Sequence, residues 1–231
     1  MNVLAIGCHP DDIEVACAGT LIKYQKAGHQ VTVCHVANGN LGHVEIPSER
    51  LRVMRAAEAK KAGSLAGIEV VTCDVGDLLV YDNQEQRNQV AEVIRQVQPD
   101  VIITHAPEDY MPDHVAVSKL VFAASFAASV PQYGTGSPAK LTPIYYMDTL
   151  AGIGFQPTEY VDISHEIDLK LEMLECHESQ LKWMRDHDGI DFAEFVRTIA
   201  RFRGIQCGTS YAEGFIRCLA YGKVTAGQRL P

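Results

Sequence analysis

Short apolar runs alternate with longer amphipathic segments, and this order restricts the possible folds more than any other feature of the chain. Runs that are apolar almost throughout are typical of strands covered on both faces of a parallel sheet. We assign strands to Val3–Gly7, Gln30–Val36, Glu69–Cys73, Val101–Thr104 and Ile144–Met147, with a weaker sixth at Tyr160–Ile163. Right-handed crossovers between parallel strands then predict an α/β fold: a Rossmann-like, doubly wound, mostly parallel sheet with helices on both faces.

The segments between these runs have the apolar spacing of helices. We place helices at Ile13–Ala27, Pro47–Ala66, Gln84–Gln98, His114–Ser129, Glu166–Arg185 and Phe192–Arg203. The part of the chain after Asp162 is therefore predicted to be mostly helical. One Gly/Pro/Ser-rich loop, 132–143, is too short to separate domains, so we expect a single domain over residues 1–231.

Composition excludes several classes of protein. The 231 residues carry 20 Lys and Arg against 29 Asp and Glu, a formal net charge of −9, which disfavours nucleic acid and anionic membranes as partners. No apolar run approaches the roughly 20 residues that span a bilayer. The first residues lack the basic start of a signal peptide. Seven cysteines without a CxxC pair suggest free thiols, and we expect a cytoplasmic protein.

The segment His9-Pro10-Asp11-Asp12 follows the first strand, where open α/β sheets bind ligands. A dinucleotide site would have glycines here, whereas two carboxylates would repel a pyrophosphate. His9 and Asp12 are spaced to chelate one divalent cation, and the remaining carboxylate can then face a metal-bound water. The alternative is that an aspartate only caps the following helix.

A second polar segment, Asp113-His114, begins the helix after the fourth strand. If that strand lies beside the first, His114 supplies a third ligand, and two His with one Asp is a catalytic zinc arrangement. Fe²⁺, Mn²⁺ and Co²⁺ accept the same nitrogen and oxygen ligands. In the alternative interpretation, Asp113 caps the helix and His114 is an ordinary first-turn residue.

Together these motifs resemble the LmbE/PIG-L family of metal-dependent de-N-acetylases, and most nearly its bacterial branch acting on N-acetylglucosaminides, which includes bacillithiol-type and diacetylchitobiose deacetylases. The resemblance rests on HPDD at 9–12, the TH…P.D..PDH segment at 104–114, and Arg55-Ala-Ala-Glu58 before the Leu-Ala-Gly turn at 65–67. It also includes AGTL at 18–21, HESQ at 177–180 and SYAEGF at 210–215.

The resemblance implies a role for each matching residue. His9, Asp12 and His114 would hold Zn²⁺, with Fe²⁺, Mn²⁺ or Co²⁺ as the other candidates, and Asp11 would be the general base. Arg55 would contact polar groups of the sugar; the alternative is a surface pair between Arg55 and Glu58.

The chain departs from the family at Met111, where the family has a histidine that stabilises the oxyanion or assists proton transfer. A thioether can do neither. In the family the aspartate at the position of Asp113 orients that histidine. We expect Asp113 and Tyr110 to take part in catalysis and Met111 to line the substrate pocket, with His105 and His43 as further substitutes for the missing imidazole.

The resulting hypothesis is a hydrolase that removes acetyl from a small N-acetylglucosamine-type sugar or glycoconjugate. Two alternatives stay open: an amidase for another N-acyl substrate, such as a thiol-sugar conjugate, and a metal- or sugar-binding relative weakened in catalysis by Met111. We expect no nucleic acid or membrane partner. Homo-oligomeric assembly is a further implication of the resemblance.

Overall fold

The computed structural model describes residues 1–231, and its centre is one seven-stranded sheet. The strands are β1 (Asn2–Gly7), β2 (Gln30–Ala37), β3 (Glu69–Val75), β4 (Val101–Thr104), β5 (Ile144–Met147), β6 (Glu159–Asp162) and β7 (Ala212–Arg217). Their order is β3-β2-β1-β4-β5-β7-β6. The first five strands are parallel. The predicted mostly parallel, doubly wound α/β sheet is therefore confirmed.

Strand order reverses between β1 and β4, which are direct neighbours. The chain goes outward from β1 to β3 on one side and then from β4 to β5 on the other. The loops after β1 and β4 consequently open at the same edge of the sheet, at the switch point where such folds bind ligands.

Eight helices surround the sheet. They are α1 (Asp12–Ala16), α2 (Ala18–Lys26), α3 (Ser48–Leu65), α4 (Gln84–Val97), α5 (Pro112–Ala127), α6 (Ile167–Glu175), α7 (Glu178–Asp188) and α8 (Phe192–Cys207). Two predicted helices are each broken in two. Cys17 leaves helical geometry, with φ −148° and ψ 7°, and His177, with ψ 58°, separates α6 from α7. Apolar periodicity continues across both breaks, so the sequence pattern did not reveal them.

The C-terminal part is mostly helical, as predicted, but it also contains the strand β7, which the prediction lacked. The strand lies antiparallel between β5 and β6. Its polar Glu213 is buried, because the carboxylate accepts hydrogen bonds from Gly19 and Thr20 at the start of α2. A buried strand with an acid in it does not show the expected apolar run.

Alternate residues of β1 enter two separate cores. Val3 and Ala5 belong to a 30-residue cluster with α2, α6 and α8. Leu4 and Ile6 belong to a 19-residue cluster with α4 and α5. The side-chain alternation of a strand thus fills both faces of the sheet. None of the helices has the length and apolar character needed to cross a bilayer.

Candidate metal centre

The loops after β1 and β4 bring three imidazoles around the Asp12 carboxylate. The His9 Nδ1 lies 3.6 Å from Asp12 Oδ2, and the His114 Nε2 lies 3.3 Å from Asp12 Oδ1. His105 Nε2 lies 3.2 Å from Asp12 Oδ2. The three histidines are buried. The residues of the two sequence motifs therefore meet, as the neighbouring positions of β1 and β4 require.

The two ring nitrogens of His114 have different neighbours. Its Nδ1 lies 3.2 Å from Asp109 Oδ2, and this carboxylate also accepts the Met111 N–H. Its buried Nε2 has no hydrogen-bond partner and faces Asp12. A histidine that ligates a metal has this arrangement, with one nitrogen oriented by a carboxylate and the other free.

His9 is surrounded by carboxylates on both sides. Its backbone N–H donates to Asp12 Oδ2 at 2.6 Å, and its Nε2 lies 3.4 Å from Asp113 Oδ2 and 3.8 Å from Asp77 Oδ1. Asp113 also accepts the Leu78 N–H, at 2.7 Å. Asp113 is therefore next to the predicted ligand His9, whereas the family pattern had suggested a partnership with residue 111.

His105 is oriented by a backbone group. The N–H of Cys8 donates to its Nε2 at 2.9 Å, and its ring stacks on that of His114 with 4.0 Å between centroids. Burial, with the nearby His114, lowers the pKa of His105 to about 4. The Nε2 lone pair is committed to Cys8, so His105 supports the cluster in a neutral form. Asp12, His105 and His114 form one compact group of ligand-type atoms, and Cys8, His9 and Asp12 form a second.

The electrostatics of the cluster favour a positive charge. Burial lowers the pKa of His114, yet Asp12 and Asp109 raise it to about 9. Burial likewise opposes protonation of His9, but Asp113 and Asp12 hold its pKa well above the usual range. A divalent cation would neutralise these buried carboxylates as well as the protonated histidines do. The donor set of imidazole and carboxylate, with the unpartnered His114 Nε2, fits such an ion.

Asp11 and Arg55 form the wall beside this cluster. Asp11 has φ 122° and ψ −25°, a conformation that L-residues rarely adopt and that is often found at functional sites. Burial raises the pKa of the Asp11 carboxyl to about 6, although the Arg55 guanidinium opposes the shift. Arg55 Nη2 lies 3.1 Å from Asp11 Oδ1 and donates to the carbonyl of Pro10. The alternative of a surface pair between Arg55 and Glu58 was wrong, since Arg55 is 2% exposed.

Glu58, one turn after Arg55, accepts from the N–H and hydroxyl of Ser179. Helix α3 thus links the Asp11 loop to the start of α7. Sequence reasoning assigned no role to the buried pair Glu14 and His177, whose Oε2 and Nε2 are 3.3 Å apart. The HESQ segment was the signal that could have found His177, and no local pattern distinguished Glu14 from an ordinary helical residue.

The three groups suggested as substitutes for the histidine missing at Met111 occupy different positions relative to the cluster. Tyr110 is 67% exposed and meets the His114 ring edge-on at 6.0 Å. His105 lies inside the cluster. His43 lies outside it, against Trp183 with 5.4 Å between ring centroids, and does not line the pocket. Met111 itself does line the pocket.

A cavity of about 180 Å³ opens above the cluster. Its lining combines the polar residues of the cluster with side chains from α1, α7, α8 and the loop after β5. They are His9, Asp11, Asp12, Val15, Ala16, Gly42, Arg55, His105, Asp109, Tyr110, Met111, His114, Asp148, Leu150, Gln180, Met184 and Phe192. We refer to it as the metal pocket.

The profile of the GlcNAc-PI de-N-acetylase (PIG-L) family matches residues 4–125, which contain every residue of the cluster. The chain belongs to this family. Membership confirms the resemblance seen in the sequence, and with it an enzyme of the N-deacetylase class.

Two deacetylases agree with this assignment, and a third protein, a hydratase, shares the fold alone. A diacetylchitobiose deacetylase of Thermococcus kodakarensis is 29% identical over 225 residues, covering 92% of this chain and 81% of its own. An N,N'-diacetylchitobiose deacetylase from Pyrococcus horikoshii superposes with a TM-score of 0.80 at 25% identity, over 94% of this chain and 83% of the other. A 4-carboxy-2-hydroxymuconate hydratase from Pseudomonas putida shares the fold, with a TM-score of 0.85 at 22% identity. The superposition covers 99% of this chain and 100% of the hydratase.

Proposed function

We propose that this protein is a metal-dependent hydrolase that removes the acetyl group from an N-acetylglucosamine-type sugar or glycoconjugate. The observation that carries the proposal is the buried, unpartnered His114 Nε2 facing Asp12, with the carboxylate of Asp11 on the same pocket wall. An amide hydrolase needs an electrophilic centre and a base within reach of one water; a cation held by His114 and Asp12 would supply the first, and Asp11 would supply the second.

His9, Asp12 and His114 would hold the cation, and zinc is the ion that such a ligand set most often binds. A bound divalent cation would polarise the acetyl carbonyl and make water a stronger nucleophile. His105, committed to the Cys8 N–H, would keep His114 in place by stacking.

Asp11 would take a proton from the attacking water and return it to the leaving amine. Its pKa of about 6 leaves it ionised at neutral pH and near the value at which a base is most effective. Arg55 would contact polar groups of the sugar from the wall of the metal pocket, and it would also hold the Asp11 carboxylate and the Pro10 carbonyl in place. Tyr110 would supply the donor that Met111 cannot.

The substrate class is supported by relatives that deacetylate acetamido sugars. The other hypotheses remain as outcomes of the experiment: an amidase for another N-acyl compound, or a binding protein with little turnover.

The experiment compares metal content, by atomic emission, with acetate release from a panel of N-acetylated sugars and acyl thiol-sugar conjugates. We expect His114→Ala to lose metal and activity together. Asp11→Asn should keep its metal and lose roughly 10²–10⁴ in kcat, because an amide accepts no proton from water. Asp12→Asn should weaken metal binding first.

Matched controls are His165→Ala and Asp168→Asn, which alter exposed residues outside the metal pocket and should leave both readouts unchanged. Near-normal kcat for metal-loaded Asp11→Asn would contradict the base assignment. Full metal binding by His114→Ala would contradict the ligand assignment. Metal without acetate release from any compound would favour the binding protein.

A further inference from the structure

A second cavity of about 580 Å³ continues from the metal pocket. The two share Asp109, Tyr110 and Leu150 in their walls. The remaining residues come from the loops after β4 and β5 and from the start of α8. The complete lining is Glu108, Asp109, Tyr110, Thr149, Leu150, Ala151, Ile153, Gly154 and Phe195, and we call this cavity the apolar groove.

The walls of the apolar groove expose large apolar side chains to water. Ile153 is 79% exposed and Tyr110 is 67% exposed, while Leu150 and Phe195 are half-buried. Apolar surface gathered in a concavity beside an active site is typical of ligand-binding grooves. Covering it would remove that surface from water, which is favourable.

The groove is formed in advance by a fixed loop. Thr149 Oγ1 donates to the carbonyl of Ile153 at 2.9 Å. Arg203 donates to the carbonyl of Phe155 at 3.3 Å and to the Asp148 carboxylate at 2.6 Å. These bonds fix the loop on both sides of Ile153, so its side chain is held towards the groove without the ordering cost of a mobile segment.

The charge of the lining selects against anions. Two of the nine lining residues, Glu108 and Asp109, are acidic, and none is basic. A phosphate or carboxylate in the groove would be repelled and would find no cation, whereas a neutral apolar group meets Ile153, Leu150 and Phe195.

We propose that the apolar groove binds a neutral, apolar aglycone of the sugar substrate, such as an alkyl or aryl group. This inference rests on the proposed deacetylase function. The acetyl group is too short to extend from the metal centre into the groove. The part of the substrate that reaches the groove is therefore the aglycone, on the other side of the sugar. The enzyme would thus favour acetamido glycosides with a hydrophobic aglycone over free sugars.

The test compares kcat/KM for the methyl and hexyl glycosides of N-acetylglucosamine. We expect the parent enzyme to have at least a tenfold higher kcat/KM for the hexyl glycoside than for the methyl glycoside. In Ile153→Ser this ratio should fall below threefold, because a hydroxyl replaces the apolar wall. The matched control is Ile205→Ser, which changes an isoleucine that is 65% exposed on α8 and outside the groove, and it should keep the tenfold ratio.

A third compound, methyl N-hexanoylglucosaminide, tests whether the groove binds the aglycone or the acyl chain of the substrate. Equal kcat/KM for methyl and hexyl glycosides, or a hexyl preference that survives in Ile153→Ser, would overturn the inference while leaving the deacetylase function intact. A gain on the N-hexanoyl compound alone would overturn it in favour of an acyl-chain groove.

Binding calorimetry on Asp11→Asn with the same glycosides tests whether the groove binds the hexyl aglycone, and it requires no turnover. A hexyl-over-methyl preference in Kd that Ile153→Ser removes in that background would support the groove even if no acetate were released and the proposed function failed. Equal Kd values would overturn it.

Discussion

At the scale of single residues, the chemistry of the candidate site depends on carboxylates that orient imidazoles. Asp109 bonds the Nδ1 of His114, and Asp113 lies against the Nε2 of His9. Each contact leaves the other ring nitrogen directed towards Asp12. Such supporting carboxylates fix the ring orientation and strengthen the nitrogen as a donor.

Asp109→Asn tests this support directly. We expect metal affinity to fall about 10- to 100-fold, because an amide orients His114 less strongly and adds no negative charge. Competition against a chelator measures the affinity without turnover. Glu108→Gln, at the exposed neighbouring acid, is the control and should bind metal normally. Unchanged affinity in Asp109→Asn would show that the His114 contact has no effect on the metal.

Met111 makes one wall of the metal pocket apolar, where the family has an imidazole. We expect Met111→His to raise kcat/KM on methyl N-acetylglucosaminide by about tenfold or more, towards the 10²–10³ of one oxyanion donor. Met184→His places an imidazole in the α7 wall of the same pocket and should bring no gain.

Tyr110 is the group expected to compensate for Met111 in the parent enzyme. Tyr110→Phe keeps the ring and removes only the hydroxyl, and we expect it to lower kcat/KM by a factor comparable to the gain in Met111→His. Steady-state kinetics on methyl N-acetylglucosaminide measure both. A silent Tyr110→Phe would transfer the role to His105, while no gain in Met111→His would favour a different substrate.

At the scale of elements, the site depends on helices that reach it from opposite sides. Helix α3 supplies Arg55 to the Asp11 loop and Glu58 to α7. Helix α5 supplies His114 from its first turn, and its other end packs against the segment after β7. There Lys223, 2% exposed, donates from Nζ to Ser125 Oγ at 2.7 Å.

Lys223 predicts a pH dependence of stability at this packing contact. Burial lowers its pKa from 10.5 to about 8, so the unfolded chain binds the proton more tightly. The resulting penalty on folding is complete below pH 8 and disappears as the pH rises towards 10.5, with a maximum of roughly 3 kcal/mol.

We therefore expect the parent protein to gain stability relative to Lys223→Met between pH 8 and 10.5, as measured by urea unfolding. The exposed Lys182→Met serves as the control and should show no such pH-dependent difference. A difference between parent and Lys223→Met that stays constant over this interval would show that Lys223 keeps an ordinary pKa in the folded protein.

At the scale of the whole molecule, Glu213 ties the C-terminal strand to the N-terminal half. Its carboxylate accepts from Gly19 and Thr20 of α2 and lies 2.5 Å from Lys170 Nζ of α6. Lys170 is 1% exposed and also donates to the carbonyl of Val15. Removing one partner of a buried pair leaves an uncompensated charge.

Lys170→Met should accordingly lower the free energy of unfolding by about 3–5 kcal/mol, measured with urea. Lys26→Met breaks the pair between Lys26 and Glu166, in which the lysine is 51% exposed, and should cost at most about 1 kcal/mol. Equal losses in the two variants would mean that the buried pair contributes no more than a surface one.

Local patterns predicted those parts of the fold that local physics decides. The bounds of β4 and β5 and the doubly wound, mostly parallel arrangement were correct, because apolar runs and crossover handedness restrict them strongly. The breaks at Cys17 and His177 and the strand β7 were missed. Each depends on contacts with residues that are distant along the chain, such as Glu213 with α2.

The sequence by itself determined that His9, Asp11, Asp12 and His114 lie at one edge of the sheet, since each follows a strand that the apolar pattern identifies. Only the tertiary structure decided which groups orient them and what surrounds them. Asp109, Arg55 and the buried pair of Glu14 and His177 acquire their partners through packing. The apolar groove likewise joins loops separated by about forty residues, and their proximity is fixed by the sheet and by Arg203 rather than by any local pattern.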